Sequence, residues 1–223
     1  MKVKRFNCRE KHRREEIVEN YNLNLIAFTK LLNGQDKNSC AGGKCTDVYY
    51  TFQYENKSNK YDNGSFFCGK VAAKNFMELA NITPIKLFNP LLEDNTYETK
   101  KESSLNVKSS EKEKYPSSDD DFKNKWDPVA EQFHNAINLI IVCWNVPIYG
   151  KLARLKADVM KYKYREPFIE RIEFVNDVIA KDKKNRTLTQ MIEDLRNDNP
   201  TLKHFKFDLL KEKLNAEKIK SNF

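Results

Sequence analysis

The chain has 223 residues, of which 39% are hydrophobic and 32% are charged, a size that suits one large domain or two small ones. This hydrophobic share supports a packed core and excludes a wholly disordered chain. The 40 basic and 32 acidic residues give a net charge of +8, which favours encounter with polyanions such as nucleic acid. Only nine of the basic residues are arginines, the type that binds phosphates and base edges bidentately, so much of the surplus is a lysine-rich surface.

The sequence also bears on the compartment. Residues up to Arg14 are too charged for a secretory signal. The most apolar stretch, residues 137–149, is interrupted by Asn138, Asn145 and Pro147 and is shorter than the roughly 20 residues of a membrane span. Five cysteines, an odd number, fit a reducing compartment better than a disulfide framework. We therefore expect an intracellular protein, cytoplasmic or nuclear, without a membrane partner.

In chain order, the first part of the sequence predicts a helix, a hairpin and a second helix. Residues 9–33 carry apolar side chains three or four positions apart, which predicts one helix. Residues 47–55 alternate as a strand does, and residues 65–68 return as its partner after the turn at Asn63-Gly64. Residues 71–81 then follow with helical spacing.

The remainder predicts a linker and a helical domain. Residues 93–125 are strongly polar and indicate a flexible linker or long surface loop. From Trp126 onward four helices are expected before Asn199, the first opening at Asp127-Pro128 and the fourth at a capping box of Thr187 and Gln190. A last helix is expected from Thr201. The fold prediction is α+β, mainly α, with an N-terminal module (1–92), the linker (93–125) and a helical domain (126–223).

Cysteines form the strongest local constellation. Cys40 and Cys45 flank a Gly-Gly turn, and Cys68 lies where the second strand passes into a helix. Thiolates that converge from such positions suit tetrahedral Zn²⁺, and the arrangement resembles a treble-clef or ribbon-type zinc fold. That pattern expects another ligand about three residues after Cys68, where Val71 stands. Cys8 and His12, four residues apart, are the candidates for completing a structural site. The alternatives are a set of free, partly buried thiols and a degenerate former metal site.

Two features favour a nucleic-acid partner. Residues 188–196, a break at 197–200 and residues 201–213 resemble a helix-turn-helix in outline, with Lys203 and Lys206 on the second helix. A dense basic cluster at the N-terminus forms a candidate phosphate-binding arm. Its members are Lys2, Lys4, Arg5, Arg9, Lys11, Arg13 and Arg14. Both features also fit a solvated basic surface.

Catalytic patterns are weaker, and no catalytic residue is assigned. Asp47 with Glu55-x-Lys57 is similar to the acidic and lysine signature of a nuclease superfamily. One continuous strand would, however, hold the two carboxylates about 26 Å apart, too far for a shared Mg²⁺. Glu131-x-x-His134 has the spacing of half a di-metal site, but the sequence contains no second copy.

The leading functional hypothesis is a non-enzymatic accessory or regulatory protein that acts on or near nucleic acid and has a candidate structural zinc site. One alternative is a protein-interaction or self-associating subunit whose helices within residues 126–180 present a groove. A further alternative is a metal-dependent nuclease whose site is not visible in the sequence.

Overall fold

A computed structural model describes residues 6–92 and 125–223. Within these two ranges the fold is α+β and mainly helical, with a three-stranded antiparallel sheet near the N-terminus. The elements in chain order are α1 (Lys11–Asn20), β1 (Tyr21–Lys30), β2 (Val48–Asn56), β3 (Asn63–Cys68), α2 (Lys70–Leu79), α3 (Pro128–Trp144), α4 (Gly150–Lys161), α5 (Ile169–Ile179), α6 (Leu188–Asp198) and α7 (Asp208–Ala216). The predicted linker, apart from Lys125, lies outside the described residues.

The prediction of one helix over residues 9–33 is wrong, because its second half is strand β1. A β-bulge between Leu25 and Ala27 explains the helix-like spacing. In a regular strand, every second side chain shares a face, whereas the extra residue Ile26 shifts the alternation by one. Leu25 and Phe28 therefore pack into the same cluster although they are three positions apart. Ile26 and Ala27 both pack into the other cluster.

The sheet has the order β1-β2-β3 and is covered on both faces. As the alternation predicts, Tyr50, Phe52 and Tyr54 of β2 share one face, where they pack with α1 and α2. On the opposite face the hydroxyl of Ser65 donates to the backbone oxygen of Ile148 at 2.7 Å, so that face meets the C-terminal helices. The N-terminal elements thus contribute to both hydrophobic clusters of the protein.

Helix α3 forms the centre of the larger cluster, which explains why apolar residues lie around most of its circumference. Asp127 caps its first turn by accepting hydrogen bonds from two backbone amides, as predicted. Two side chains of the N-terminal module donate hydrogen bonds to the C-terminal end of this helix. There the side-chain amide of Gln35 donates to the oxygen of Val142 at 2.8 Å, and Lys37 Nζ donates to that of Asn145 at 2.7 Å. Two polar side chains therefore satisfy terminal carbonyls of the central helix.

The connection between α5 and α6 is organised around the carboxylate of Asp182. Arg186 binds it twice, through Nε at 3.0 Å and Nη2 at 2.9 Å, and Trp144 Nε1 donates to it at 3.1 Å. The backbone amides of Lys184 and Arg186 donate to the same carboxylate. These hydrogen bonds hold the pKa of Asp182 far below its usual range. The predicted capping box of Thr187 and Gln190 follows immediately and opens α6.

Candidate functional site

The structure brings the four cysteines among the five proposed metal ligands into one region, as a disulfide and two thiols and not as four thiolates. Cys8 and Cys40 form a disulfide with a Cα–Cα distance of 5.4 Å. Cys45 and Cys68 are free thiols, and both are buried. Within residues 6–92 and 125–223, no three His, Cys, Asp or Glu side chains are arranged to hold a metal ion. His12 is exposed on α1, whereas Cys8 lies before that helix begins at Lys11, so the two residues do not share a helix face.

A tight hairpin between Asn38 and Lys44 positions Cys40 and Cys45. It turns at Gly42 and Gly43, whose φ angles of 86° and 78° lie in the left-handed region that glycine adopts without strain. Burial raises the pKa of Cys45, an effect that the neighbouring Lys37 opposes. Burial also raises the pKa of Cys68, and the nearby Cys45 adds to that rise. Both thiols are therefore protonated at neutral pH in this state.

The described part of the N-terminal basic cluster is largely engaged within the protein. Arg13 pairs with Glu16 at 2.9 Å and Lys11 with Glu15 at 3.6 Å. Arg14 donates from Nε to the side-chain oxygen of Asn75 at 2.5 Å, and from Nη1 to the backbone oxygens of Cys8 and Arg9. Arg9 itself is exposed. Lys2, Lys4 and Arg5 lie outside the described residues. In the described part of the cluster, three of the four cations therefore contact partners within the protein.

The expected helix-turn-helix is wrong. Helix α6 ends at Asp198 and α7 begins only at Asp208, so an irregular segment of nine residues replaces the tight turn. Lys203 and Lys206 lie in that segment and not on a helix. Lys203 Nζ donates to the backbone oxygen of Asn89 at 3.0 Å, so this lysine ties the end of the N-terminal module to the helices.

The catalytic patterns do not assemble either. Asp47 precedes β2 and pairs with Lys30, while Glu55 lies near the far end of the same strand. The ring of His134 packs on Trp126 with 4.9 Å between centroids. Burial, with a smaller contribution from Lys156, lowers the pKa of His134 to about 3. This histidine is therefore a neutral core residue at physiological pH.

A different part of the chain carries an exposed aromatic and basic surface. The segment that joins α4 to α5 exposes 38% of Tyr162, 45% of Tyr164 and 70% of Phe168. It borders a cavity of about 210 Å³ between these helices and α3. Buried Phe133 and Val159 contribute apolar side chains to the cavity. Tyr162, Arg165, Phe168 and Arg171 also line it. We call Lys161, Tyr162, Lys163, Tyr164, Arg165, Phe168 and Arg171 the aromatic–basic surface.

Charges on this surface are arranged so that several cations face solvent. The two acidic side chains that line the cavity are paired, Asp158 with Arg171 at 3.3 Å and Glu166 with Lys213 at 2.5 Å. No carboxylate of the described chain forms an ion pair with Lys161, Lys163 or Arg165.

Basic groups of this surface also lie against its rings. The guanidinium groups of Arg165 and Arg171 lie over Tyr164 and Phe168, 5.4 and 5.5 Å from the ring centroids, and Lys161 Nζ lies 5.2 Å from that of Tyr162. Such cation–π contacts hold aromatic rings and charges side by side.

This surface is not among the sites predicted from the sequence, although the sequence contains a signal for it. Residues 161–165 read Lys-Tyr-Lys-Tyr-Arg, an alternation of cations and rings that suits nucleic-acid binding. The segment follows a predicted helix directly, and its tyrosines fit equally well as the end of a buried stripe. Their exposure becomes evident only because α4 ends at Lys161 and the chain turns there.

Fold and surface together define an α+β protein in which a small sheet lies between two helical layers and the C-terminal helices carry an aromatic–basic surface. The chain belongs to the family described as uncharacterised conserved protein UCP028583, whose model matches residues 6–219. The match therefore runs through both the sheet and the helical part. No curated protein and no solved structure matches the chain. In the described portions, every helix is too short or too polar to cross a membrane.

Proposed function

We propose that this protein binds single-stranded nucleic acid through the aromatic–basic surface. The observation that supports the proposal is the exposure of Tyr162, Tyr164 and Phe168 on a surface where Lys161, Lys163 and Arg165 form no ion pair with a carboxylate of the described residues. Aromatic rings stack on unpaired bases, and each such contact contributes about 1–3 kcal/mol. The adjacent cations attract the phosphate backbone in a sequence-independent way.

The chemistry of the surface favours single strands over duplexes. In a duplex the bases are stacked on one another, and their faces are not available to protein rings. The cavity beside Phe168 has apolar side chains in its wall and charged groups around it, a combination that suits a planar, partly polar ring such as a nucleobase. The net charge of +8 adds long-range attraction for the polyanion. Binding of this kind agrees with an accessory, non-catalytic role inside the cell.

Fluorescence anisotropy with a labelled single-stranded oligonucleotide of about 12 nucleotides tests the proposal. We expect the double substitution Tyr164→Ala and Phe168→Ala to weaken binding by at least about tenfold, because two stacking surfaces are lost. Arg165→Ala should instead lower the dependence of log K on log salt by about 0.7, the value for one phosphate contact on a single strand. Tyr61→Ala is the matched control, since Tyr61 is 96% exposed in the turn between β2 and β3.

Two results would contradict this function. One is wild-type binding that does not change between about 50 and 200 mM salt. The other is an affinity that the Tyr164 and Phe168 substitutions leave equal to that of the Tyr61 control.

A protein partner or a second copy of this chain is the alternative that the same surface supports. Tyrosine and arginine are enriched at the energetic centres of protein interfaces, and the exposed Phe168 borders a cavity that has both apolar and charged side chains in its wall. Size-exclusion chromatography with and without nuclease treatment separates the two possibilities. A dimer that survives nuclease and is lost on Phe168→Ala would favour self-association. A shift to smaller size on nuclease treatment would favour bound nucleic acid. The metal-dependent nuclease receives no comparable support, because Asp47 and Glu55 flank opposite ends of β2.

A further inference from the structure

We propose that Cys8, Cys40, Cys45 and Cys68 form one site with two chemical states, a disulfide with two thiols when oxidised and a four-thiolate zinc site when reduced. The inference is independent of nucleic-acid binding, because the four cysteines lie on the sheet side of the fold. It differs from the zinc site expected from the sequence in excluding His12 and in depending on the redox state.

Backbone contacts hold the four residues together around the junction of β3 and α2. Cys8 N donates to the oxygen of Cys40 at 2.9 Å, and Cys40 N donates to the oxygen of Phe67 at 2.8 Å, next to Cys68. On the other side of Cys68, Gly69 N donates to the hydroxyl of Ser39 at 3.2 Å. A Cβ atom added at Gly69 would lie 4.0 Å from Cys45 Sγ. The hairpin that carries Cys40 and Cys45 is therefore fixed against the backbone on both sides of Cys68.

The disulfide pair can contribute two separate sulfurs to such a site without a large movement of its own backbone. Four sulfurs at 2.3 Å from a tetrahedral zinc ion are about 3.8 Å from one another. The Cα atoms of Cys8 and Cys40 are already 5.4 Å apart, so side-chain rotation separates their sulfurs by the required distance once the bond is broken. Cys8 and Cys68 are completely buried, which suits a closed structural zinc site and not a catalytic site with an open position.

The environment fits a site that becomes negatively charged. Zinc with four thiolates carries a net charge of −2. The ammonium of Lys37 is buried beside Cys45, and Cys45 N donates to the backbone oxygen of Lys37 at 2.8 Å. This cation offsets part of the charge of the thiolates in the reduced state. In the oxidised state Lys37 Nζ donates a hydrogen bond to the backbone oxygen of Asn145, at the end of α3.

The chemical step balances with a dithiol reductant of the thioredoxin class. The reductant supplies two electrons and two protons, the bond between Cys8 and Cys40 breaks, and the reductant leaves as a disulfide. Zinc then displaces four protons from the four thiols as four zinc–sulfur bonds form. Oxidation by a disulfide reverses the sequence and releases the ion. Both states tie the segment before α1 to the sheet, so the fold is retained in either condition.

The test compares the full-length protein after oxidation and after reduction with a phosphine, each dialysed against limiting Zn²⁺. We expect the oxidised protein to hold no zinc and to show three free thiols when denatured, from Cys45, Cys68 and Cys143. We expect the reduced protein to bind about one equivalent of zinc, and Co²⁺ in its place to give the intense sulfur-to-metal absorption of a tetrahedral thiolate site.

Single substitutions make the assignment specific. Cys68→Ser and Cys45→Ser should each lose stoichiometric zinc binding, because each removes one of the four thiolates, whereas Cys143→Ser on α3 should leave it unchanged. Circular dichroism establishes whether each variant is folded. If Cys68→Ser unfolds, zinc binding by Cys45→Ser tests the assignment instead. A reduced wild type that binds no zinc while folded would overturn the proposal. So would a reduced protein that unfolds even with zinc, zinc loss on Cys143→Ser, or full binding retained by both Cys45→Ser and Cys68→Ser.

Discussion

Replacing Asp182 by alanine should lower the free energy of unfolding by about 3 kcal/mol or more, the largest stability effect of any single polar substitution that we predict. The side chain of Asp182 is 3% exposed and accepts hydrogen bonds from Arg186 and Trp144. Its removal leaves the indole N–H of Trp144 and two backbone amides without their acceptor, and unsatisfied buried donors are costly. Arg186 keeps only its pair with Asp194 at 2.7 Å.

Urea denaturation at pH 7 measures this loss, with Asp177→Ala as the control. Asp177 is exposed on α5, so its substitution should change stability by less than about 0.5 kcal/mol. The pH dependence gives an independent check. Because the folded-state pKa of Asp182 is depressed, its contribution is present above the unfolded pKa of about 3.9 and is lost as pH falls below that value. Equal losses for the two variants would contradict the structural role of Asp182.

Replacing Lys156 by methionine should remove a rise in stability with pH that the wild type shows above pH 7. Lys156 is 4% exposed and its Nζ donates to the oxygen of Ile26 at 2.6 Å. Burial lowers the pKa of Lys156 to about 7. Between that value and about 10.4 the unfolded chain binds a proton that the folded protein does not, so stability increases with pH. From pH 7 to 9 the wild type should gain about 2 kcal/mol relative to Lys156→Met.

The comparison of the two proteins isolates this residue from others that titrate. Its titratable neighbour His134 has a folded-state pKa of about 3 and stays neutral from pH 7 to 9. The exposed Lys151 on the same helix is the control. Lys151→Met should parallel the wild type over the whole interval. A wild type and a Lys156→Met variant with parallel stability profiles would show that Lys156 is accessible to water and not buried.

Much of the fold follows from local sequence signals. Alternation identifies β2, and the cap at Asp127 and the capping box at Thr187 place the starts of α3 and α6. Strand β1 is instead predicted as part of a helix, because its bulge places Leu25 and Phe28 on one face three positions apart, a spacing that a helix also has. The pairing of β1 with β2 is a long-range interaction, and it overrides the local pattern. Helix α7 begins later than predicted because residues 199–207 instead join the N-terminal module, as the bridge between Leu91 and Leu202 shows.

The candidate sites show the same division between local and long-range information. The sequence indicates that Cys40, Cys45 and Cys68 converge, since the Gly-Gly turn and the strand end are local features. Which two of the four sulfurs are bonded depends on tertiary placement, and Cys8 reaches Cys40 only because the segment before α1 lies against that loop. For the basic N-terminal cluster the sequence leaves open a phosphate-binding arm and a solvated surface, whereas the structure shows Lys11 paired with Glu15, Arg13 with Glu16 and Arg14 bound to Asn75.

Photochemical cross-linking tests the proposed nucleic-acid surface most directly. The protein is irradiated with a single-stranded oligonucleotide that carries a photoreactive thiopyrimidine, and is then cleaved after acidic residues. Cleavage at Asp158 and Glu166 leaves residues 159–166 as one peptide. We expect the oligonucleotide adduct on this peptide, at Tyr162 or Tyr164, and its loss when an unlabelled strand competes. Adducts confined to the peptides that contain Arg9, Lys11 or Arg13, with none on residues 159–166, would contradict the assignment.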